Sequence, residues 1–320
     1  MKKYGLFFIS FLIFAAACGG SKEQMLESAV AMQKNGNNEG ALRAYNTILR
    51  QTPDYYPALA NRALVYEKLN ENDKAAKDYE AALNLNSSNV QLLNNAGAFF
   101  IKEKEPARAL IYLDKAIKLD GEYFNAYMNR ALAKNELGLY ESAVEDFDAV
   151  LLYDSENLPA LTGKAVSKHN LGAYYAAAKL FTQVLYYDPK NPQIYYRRAV
   201  SERADGRHAN ALLDYAVAVE LDPRFTAARF GKAEMLYKQG NYEAALGEID
   251  ILKGYDNQYA PSYELAGDLL SLSDTKSAKA NYNVAKKLDP KNAARYEAKI
   301  RLMESDGGRV KVLMDTFRSK

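Results

Sequence analysis

The sequence predicts an all-α solenoid of eight stacked helix–turn–helix units, closed by one C-terminal helix. Three observations predict it. Small residues return every 34 positions, at Ala29, Ala63, Gly97, Ala131, Ala165, Ala199, Ala233 and Gly267. A second series runs Ala41, Ala75, Ala109, Ala143, Ala177, Ala211 and Ala245. Each of these is followed four residues on by a bulky apolar one: Tyr45, Tyr79, Leu113, Phe147, Phe181, Tyr215 and Ile249. Turn residues fall between the two series. A fixed period in this range marks supersecondary units that cannot bury their apolar faces alone, so neighbours stack into a continuous core.

The first 17 residues stand outside this pattern. Lys2 and Lys3 precede an apolar run from Tyr4 to Phe14, then Ala15, Ala16 and Ala17. This is a charged n-region, a short h-region and small residues before a cleavage point. A spanning helix needs about 18 or more apolar residues, and this run is shorter. The single cysteine, Cys18, comes next. Ala-Ala-Ala-Cys resembles the lipobox of bacterial lipoproteins, in which the cysteine is lipidated and becomes the new N-terminus. Ala15 stands where Leu is usual, and an ordinary secretory signal followed by a stray cysteine is the alternative. The expected plan is a signal peptide over 1–17 and a lipidated N-terminus with a short linker over 18–21. Eight repeats follow over 22–292, then a capping helix and a basic, apolar tail over 293–320. Gly19, rather than Asp, follows the cysteine. In the proteobacterial sorting rule that favours the outer over the inner membrane, so a lipid anchor in the bacterial cell envelope is expected.

Residues 56–89 show one unit. Leu59, Ala63, Tyr66 and Leu69 recur at helical spacing. Asn70, Glu71, Asn72 and Asp73 form a turn, and a second helix carries Ala75, Tyr79, Ala82 and Leu83. Other units place Gly36, Gly138, Gly172, Gly206 and Gly240 in that turn, where a helix C-cap takes positive φ. Pro53, Pro189, Pro223 and Pro290 follow second helices, which cannot continue through them. Tyr140, Tyr174 and Tyr242 stand two residues after turn glycines. With this combination the chain resembles the tetratricopeptide repeat family over 22–292. Its units are 22–55, 56–89, 90–123, 124–157, 158–191, 192–225, 226–259 and 260–292. The resemblance implies a right-handed superhelix. The last unit is one residue short, its second-helix alanine being Ala278, and a shortened turn at Ser273 and Asp274 accounts for this.

An array needs a lid at its end. Ala293, Tyr296, Ile300 and Met303 make one apolar helical face. Beyond Gly307 and Gly308, Val310, Leu313, Met314 and Phe317 form a second stripe among Arg309, Lys311, Arg318 and Lys320. That stripe is expected to fold back on the array, the alternative being a helix offered to a partner.

Charges show a double period. The seventh residue of repeats two, four and six is Arg62, Arg130 and Arg198, and the twenty-third is Asp78, Asp146 and Asp214. Repeat seven has Lys232 with Glu248. A cation beside packed helices needs a carboxylate partner, and arginine offers it two parallel hydrogen bonds. These pairs are expected to be structural salt bridges.

In the family, residues 2, 5, 6, 9, 12 and 13 of each repeat line a concave face along which partner segments lie. The resemblance therefore implies partner contacts at Asn61, Asn95 and Asn129, a regular amide series, with Asn94 and Asn125 beside it. Asn both donates and accepts, which suits the amides of an extended peptide; an asparagine bonded to local backbone is the alternative. In the C-terminal half the same reading selects Tyr196, Arg197, Arg203, Phe230 and Tyr237, since Tyr and Arg anchor interfaces. Glu234, Glu264 and Asp268 make the last repeats acidic. The carboxylate clamp of chaperone-binding members needs Lys and Asn at positions 5 and 9, where repeat one has Leu26 and Val30.

Other functions find little support. With one Cys and two His, a disulfide framework and a Cys/His metal site are not expected. The formal net charge is +2, and removal of 1–17 with its two lysines leaves a neutral chain, with no field to draw nucleic acid. His169 would face the groove without a Cys or Ser elbow beside it. His208 replaces a turn tyrosine and is expected to pack. No phosphate loop, dinucleotide fingerprint or zinc motif is present. The expectation is a non-catalytic, membrane-tethered scaffold that uses no cofactor and binds proteins or extended peptides. An accessory lipoprotein of a secretion, pilus or outer-membrane assembly machine, using its convex face or C-terminal helix, is the alternative.

Overall fold

A computed structural model describes residues 21–271 and 273–304. The expected signal peptide over 1–17, Cys18 and the stripe over 309–320 lie outside the described residues. Seventeen α-helices pair in sequence order, with no strand among the described residues. The pairs are α1 and α2 (Lys22–Lys34, Asn38–Gln51), α3 and α4 (Tyr56–Lys68, Asn72–Leu85), and α5 and α6 (Val90–Lys102, Pro106–Leu119). Next come α7 and α8 (Phe124–Glu136, Tyr140–Tyr153), α9 and α10 (Leu158–Asn170, Tyr174–Tyr187), and α11 and α12 (Pro192–Ala204, His208–Leu221). Then follow α13 and α14 (Thr226–Lys238, Tyr242–Tyr255), and α15 and α16 (Ala260–Leu270, Thr275–Leu288). A 3-10 turn over Pro290–Asn292 leads into α17 (Ala293–Glu304). No described helix is long and apolar enough to cross a membrane.

Local chemistry sets the ends. Ser21 opens α1 with a capping box closed by Gln24. Asn37, Asn89, Asn191, Asn241 and Asp274 accept from the first turns that follow them. The turn inside a repeat requires positive φ: Gly36 has +79° and Gly138 +75°. Repeats two and three place Asn70 (57°) and Lys104 (64°) there instead. Asn tolerates this region, whereas a lysine there costs about 1 kcal/mol.

The two small-residue series have one cause. The bulky residue of each second helix lies on the small residue of the first. A Cβ added to Gly97 would stand 2.5 Å from Leu113 Cγ, and one added to Gly267 would stand 2.5 Å from Tyr282 Cε1. Tyr45, Tyr79, Phe147, Phe181, Tyr215 and Tyr282 are accordingly buried, and each contributes roughly 1.5–3 kcal/mol through its ring.

The chain divides into two compact units, residues 1–160 and 161–320. In the first, one apolar core runs from Ala29 to Ala133 and a second joins Ala131, Phe147, Val150 and Ala160. In the second, cores form around Tyr215, around Ile249, and around Tyr282 with Tyr296 and Met303. The last core is the expected lid. Lys299 of α17 also reaches Asp268 at 2.7 and 2.8 Å and Glu264 at 2.8 Å, while the Tyr282 hydroxyl donates to Asp268 at 2.6 Å. Burial pushes the Asp268 carboxyl up, against the pull of Lys299 and Tyr282. Glu264 and Asp268 thus hold the lid and do not give the groove an acidic end. In repeat eight the first helix has 11 residues where the others have 13, and Asp274 caps the next helix early.

Candidate partner-binding groove

The four predicted ion pairs are present. Arg62 Nε and Nη2 donate to Asp78 at 2.6 and 2.8 Å, Arg130 to Asp146 at 2.9 and 2.6 Å, and Arg198 to Asp214 at 2.7 and 2.7 Å. Lys232 Nζ lies 2.5 Å from Glu248, which also holds Arg229. The hydrogen bonds it donates to Asp78 push the Arg62 guanidinium above its ordinary value. A second set of contacts was not legible in the sequence. The Nη1 of each arginine reaches the preceding repeat: Arg62 to Asn46, Arg130 to Asp114 and Arg198 to Thr182, at 2.6, 2.8 and 3.0 Å. All three acceptors sit 16 residues before their arginine. The double period is thus a physical clamp joining an odd repeat to the even repeat after it.

In the first unit the predicted amides are largely occupied. Asn61 Nδ2 donates to the Pro57 carbonyl of its own helix at 2.8 Å. Asn129 Nδ2 donates to Asn94 Oδ1 at 2.8 Å, and Asn94 is only 8% exposed. Asn95 is half-buried and Asn125 exposed. With Asn61 bonded to local backbone and Asn94 to Asn129, the amides present less to a peptide than their spacing suggests.

The second unit is different. A cavity of about 770 Å³ opens over α11 and α13, lined by Tyr196, Arg203, His208, Phe230, Glu234, Lys238 and Tyr259 among others. Tyr196 and Phe230 are fifth residues of repeats six and seven, Glu234 is a ninth, Arg203 a twelfth and Lys238 a thirteenth, all lining positions. The rings brace one another: Phe230 meets Tyr259 edge-on at 5.3 Å, and Tyr196 lies 5.0 Å from Phe225. Gly231 lets the Tyr215 ring approach, since a Cβ there would stand 2.6 Å from its Cζ. Arg203 Nη1 bonds Glu234 at 2.5 Å. Tyr237 does not belong to the cavity. It is 4% exposed and packs against Tyr242, so it is a core residue rather than a partner contact.

Both histidines lie here. His208 lines the cavity instead of only packing, and its buried Nδ1 has no hydrogen-bond partner among the described residues. His169 and Arg197 line a neighbouring cavity of about 220 Å³ with Tyr196 and Ser201. Burial first, then the Arg203 charge, holds His169 below its ordinary value; burial, Lys238 and Arg203 do the same for His208. Ser201 Oγ stands 3.0 Å from His169 Nδ1, 32 residues away in sequence, a helical serine that forms no elbow and that the repeat pattern does not single out. The serine is fully buried and donates its one proton to the Arg197 carbonyl at 3.1 Å. With that proton on the carbonyl, the serine accepts from the imidazole Nδ1–H, a tautomer in which the ring does not activate a nucleophile.

Comparisons with known proteins follow the same pattern. Two sequence profiles described as tetratricopeptide repeat match this chain, one over residues 26–90, 164–224 and 213–254, the other over 124–157. Protein FlbA of Caulobacter vibrioides is 25% identical over 157 residues, 38% of this chain and 26% of that protein. This chain therefore spans about a quarter of that relative's length. Among solved structures, a tetratricopeptide repeat protein from Parabacteroides merdae superposes with a TM-score of 0.59 at 20% identity, covering 78% of this chain and 98% of that one. PilW, described as a type IV pilus biogenesis factor, gives 0.59 at 20% identity over 66% of this chain and 98% of that one. At such identities these likenesses concern the fold. Profile matches over more than half of the sequence, with paired helices at the same period, place the chain in the tetratricopeptide repeat family.

Proposed function

We propose that this protein is a membrane-tethered adaptor of the bacterial cell envelope, anchored through Cys18, that binds partner proteins or extended peptides along the lining face of its first helices. Repeats of this family serve protein–protein interaction. The observation that carries the reading is the coincidence of the cavity in the second unit with the lining positions: the open, ring-walled space lies over Tyr196, Phe230 and Arg203. Pockets of this size with braced rings and a few polar groups are where ligands seat.

A second reading makes the protein an accessory of a secretion, pilus or outer-membrane assembly machine. PilW is described as a pilus biogenesis factor. Large apolar residues also stand exposed on second helices: Leu152 (91%) in the first unit and Tyr186 (82%) in the second. Exposed apolar surface marks contacts with other proteins.

Photocrosslinking in the native envelope separates the readings. A crosslinker at Phe230 should trap a partner if the groove is used. Adducts formed only from Leu152 and Tyr186 would favour the second reading. Cys18→Ser should move the protein from the membrane to the soluble fraction, and an unchanged membrane fraction would refute the tether.

A further inference from the structure

The cavity over α11 and α13 has a polarity that narrows its ligand. Glu234 lies at its base with a side chain 9% exposed, while the Arg203 side chain above it is 36% exposed. The one carboxylate named in the lining is therefore committed to Arg203 from beneath. Nη1 takes up that contact, and a guanidinium carries five donors in a fixed fork. Lys238, half-exposed at the rim, makes no ion pair among the described residues. Two cations against one engaged carboxylate leave a positive surplus; His208, held below its ordinary value first by burial, is lowered further by Lys238 and Arg203. Beside the charges stand the rings of Tyr196, Phe230 and Tyr259, Phe230 held against Tyr259 and Tyr196 against Phe225. The buried Nδ1 of His208 adds a polar atom awaiting a partner.

We infer that this cavity takes an internal acidic segment of an extended partner peptide, in which a carboxylate side chain lies next to an aromatic or large aliphatic one. The carboxylate meets Arg203 and Lys238, and the apolar side chain seats among Phe230, Tyr196 and Tyr259. A basic segment would set its charges against two cations. The inference rests on the groove reading above and deepens it by naming the partner's chemistry.

The test uses the full chain and three fluorescent peptides blocked at both ends, alike except for Glu-Phe-Glu, Lys-Phe-Lys or Glu-Gly-Glu at the centre. The Glu-Phe-Glu peptide should bind about tenfold or more tightly than either counterpart, and added salt should weaken it. Lys238→Glu and Phe230→Ala should each reduce its affinity about tenfold. The surface substitution Lys238→Ala should weaken it by less, with an unchanged melting curve. Equal or tighter binding of Lys-Phe-Lys, no binding of any peptide, or indifference to both Lys238→Glu and Phe230→Ala overturns the inference. If Lys-Phe-Lys binds through Phe230, only the acidic preference fails and the groove reading stands. Native partners that crosslink without regard to Phe230 sink the groove reading itself.

Discussion

Asn94, Tyr196 and Phe230 hold the same place, the fifth residue of repeats three, six and seven, yet their surroundings differ. Asn94 is buried and accepts from Asn129. Tyr196 and Phe230 stand beside open space. The first unit has a cavity of similar volume, about 780 Å³, but its lining is Arg43, Arg50 and Arg62 with Asn46, Thr47, Leu49, Pro53 and Leu59, and no aromatic ring contributes. One repeat plan thus supports two states of the lining face, one with polar groups turned upon each other and one with rings and cations turned outward. A lining position states where a contact could lie. Whether it is available depends on what the neighbouring repeat offers to it.

The clamps permit the sharpest test of a difference between the units. Asp146 accepts two bonds from Arg130 and a third contact from Lys134 at 2.8 Å, and its side chain is 4% exposed. Among the described residues Asp214 accepts the two bonds of Arg198 alone, at 9% exposure. Removing a buried carboxylate strands its cations and costs about 3 kcal/mol or more. Asp146→Ala should therefore lower the melting temperature more than Asp214→Ala. In hydrogen exchange the loss should centre on residues 124–157 for the first and 192–225 for the second, because repeat arrays lose stability locally. Equal losses would break the comparison.

The sequence carried the repeats themselves, because period and residue type agree at the close contacts of Gly97 with Leu113 and Gly267 with Tyr282. It also carried the arginine–aspartate pairs, which repeat one chemistry at one spacing. It did not carry the other half of each clamp: Asn46, Asp114 and Thr182 are an amide, a carboxylate and a hydroxyl, so no residue type recurs to be noticed. The contact of His169 with Ser201 was hidden for a related reason. It joins the twelfth residue of one repeat to the tenth of the next, and only a count across neighbouring first helices exposes it. Arg203 and Phe230 were readable as lining residues, but the burial of Tyr237 and the engagement of Glu234 depend on side-chain direction.

A middle-sized effect sharpens the contrast between amides and rings. Asn129→Ala leaves Asn94 Oδ1 buried without its donor, which costs about 1–3 kcal/mol. The expected outcome is a lower melting temperature in the first unit with unchanged binding of the Glu-Phe-Glu peptide. Loss of a native crosslinked partner with stability intact would instead make the amides ligand contacts, and the two faces would then be alike.

The smallest effect is a response to pH that only the second unit can show through histidine, since both His169 and His208 lie there. Burial and nearby cations hold both below the ordinary value in the folded state. The unfolded chain, titrating near about 6.5, then binds more protons than the folded one as pH falls. The histidine contribution to stability is complete above the unfolded value and declines from about 6.5 down to the lowered folded values. Protonation of His169 also places a cation beside Arg203, so the same decline should reach the cavity. Melting curves of the wild type and of a His169→Gln, His208→Gln double variant should separate between pH 7 and the lower values, the wild type falling more steeply as acid is added. Parallel curves would mean that the imidazoles are as solvated as in the unfolded chain, and that the positive field over Tyr196 and Phe230 is weaker than the arrangement of Arg203 and Lys238 implies.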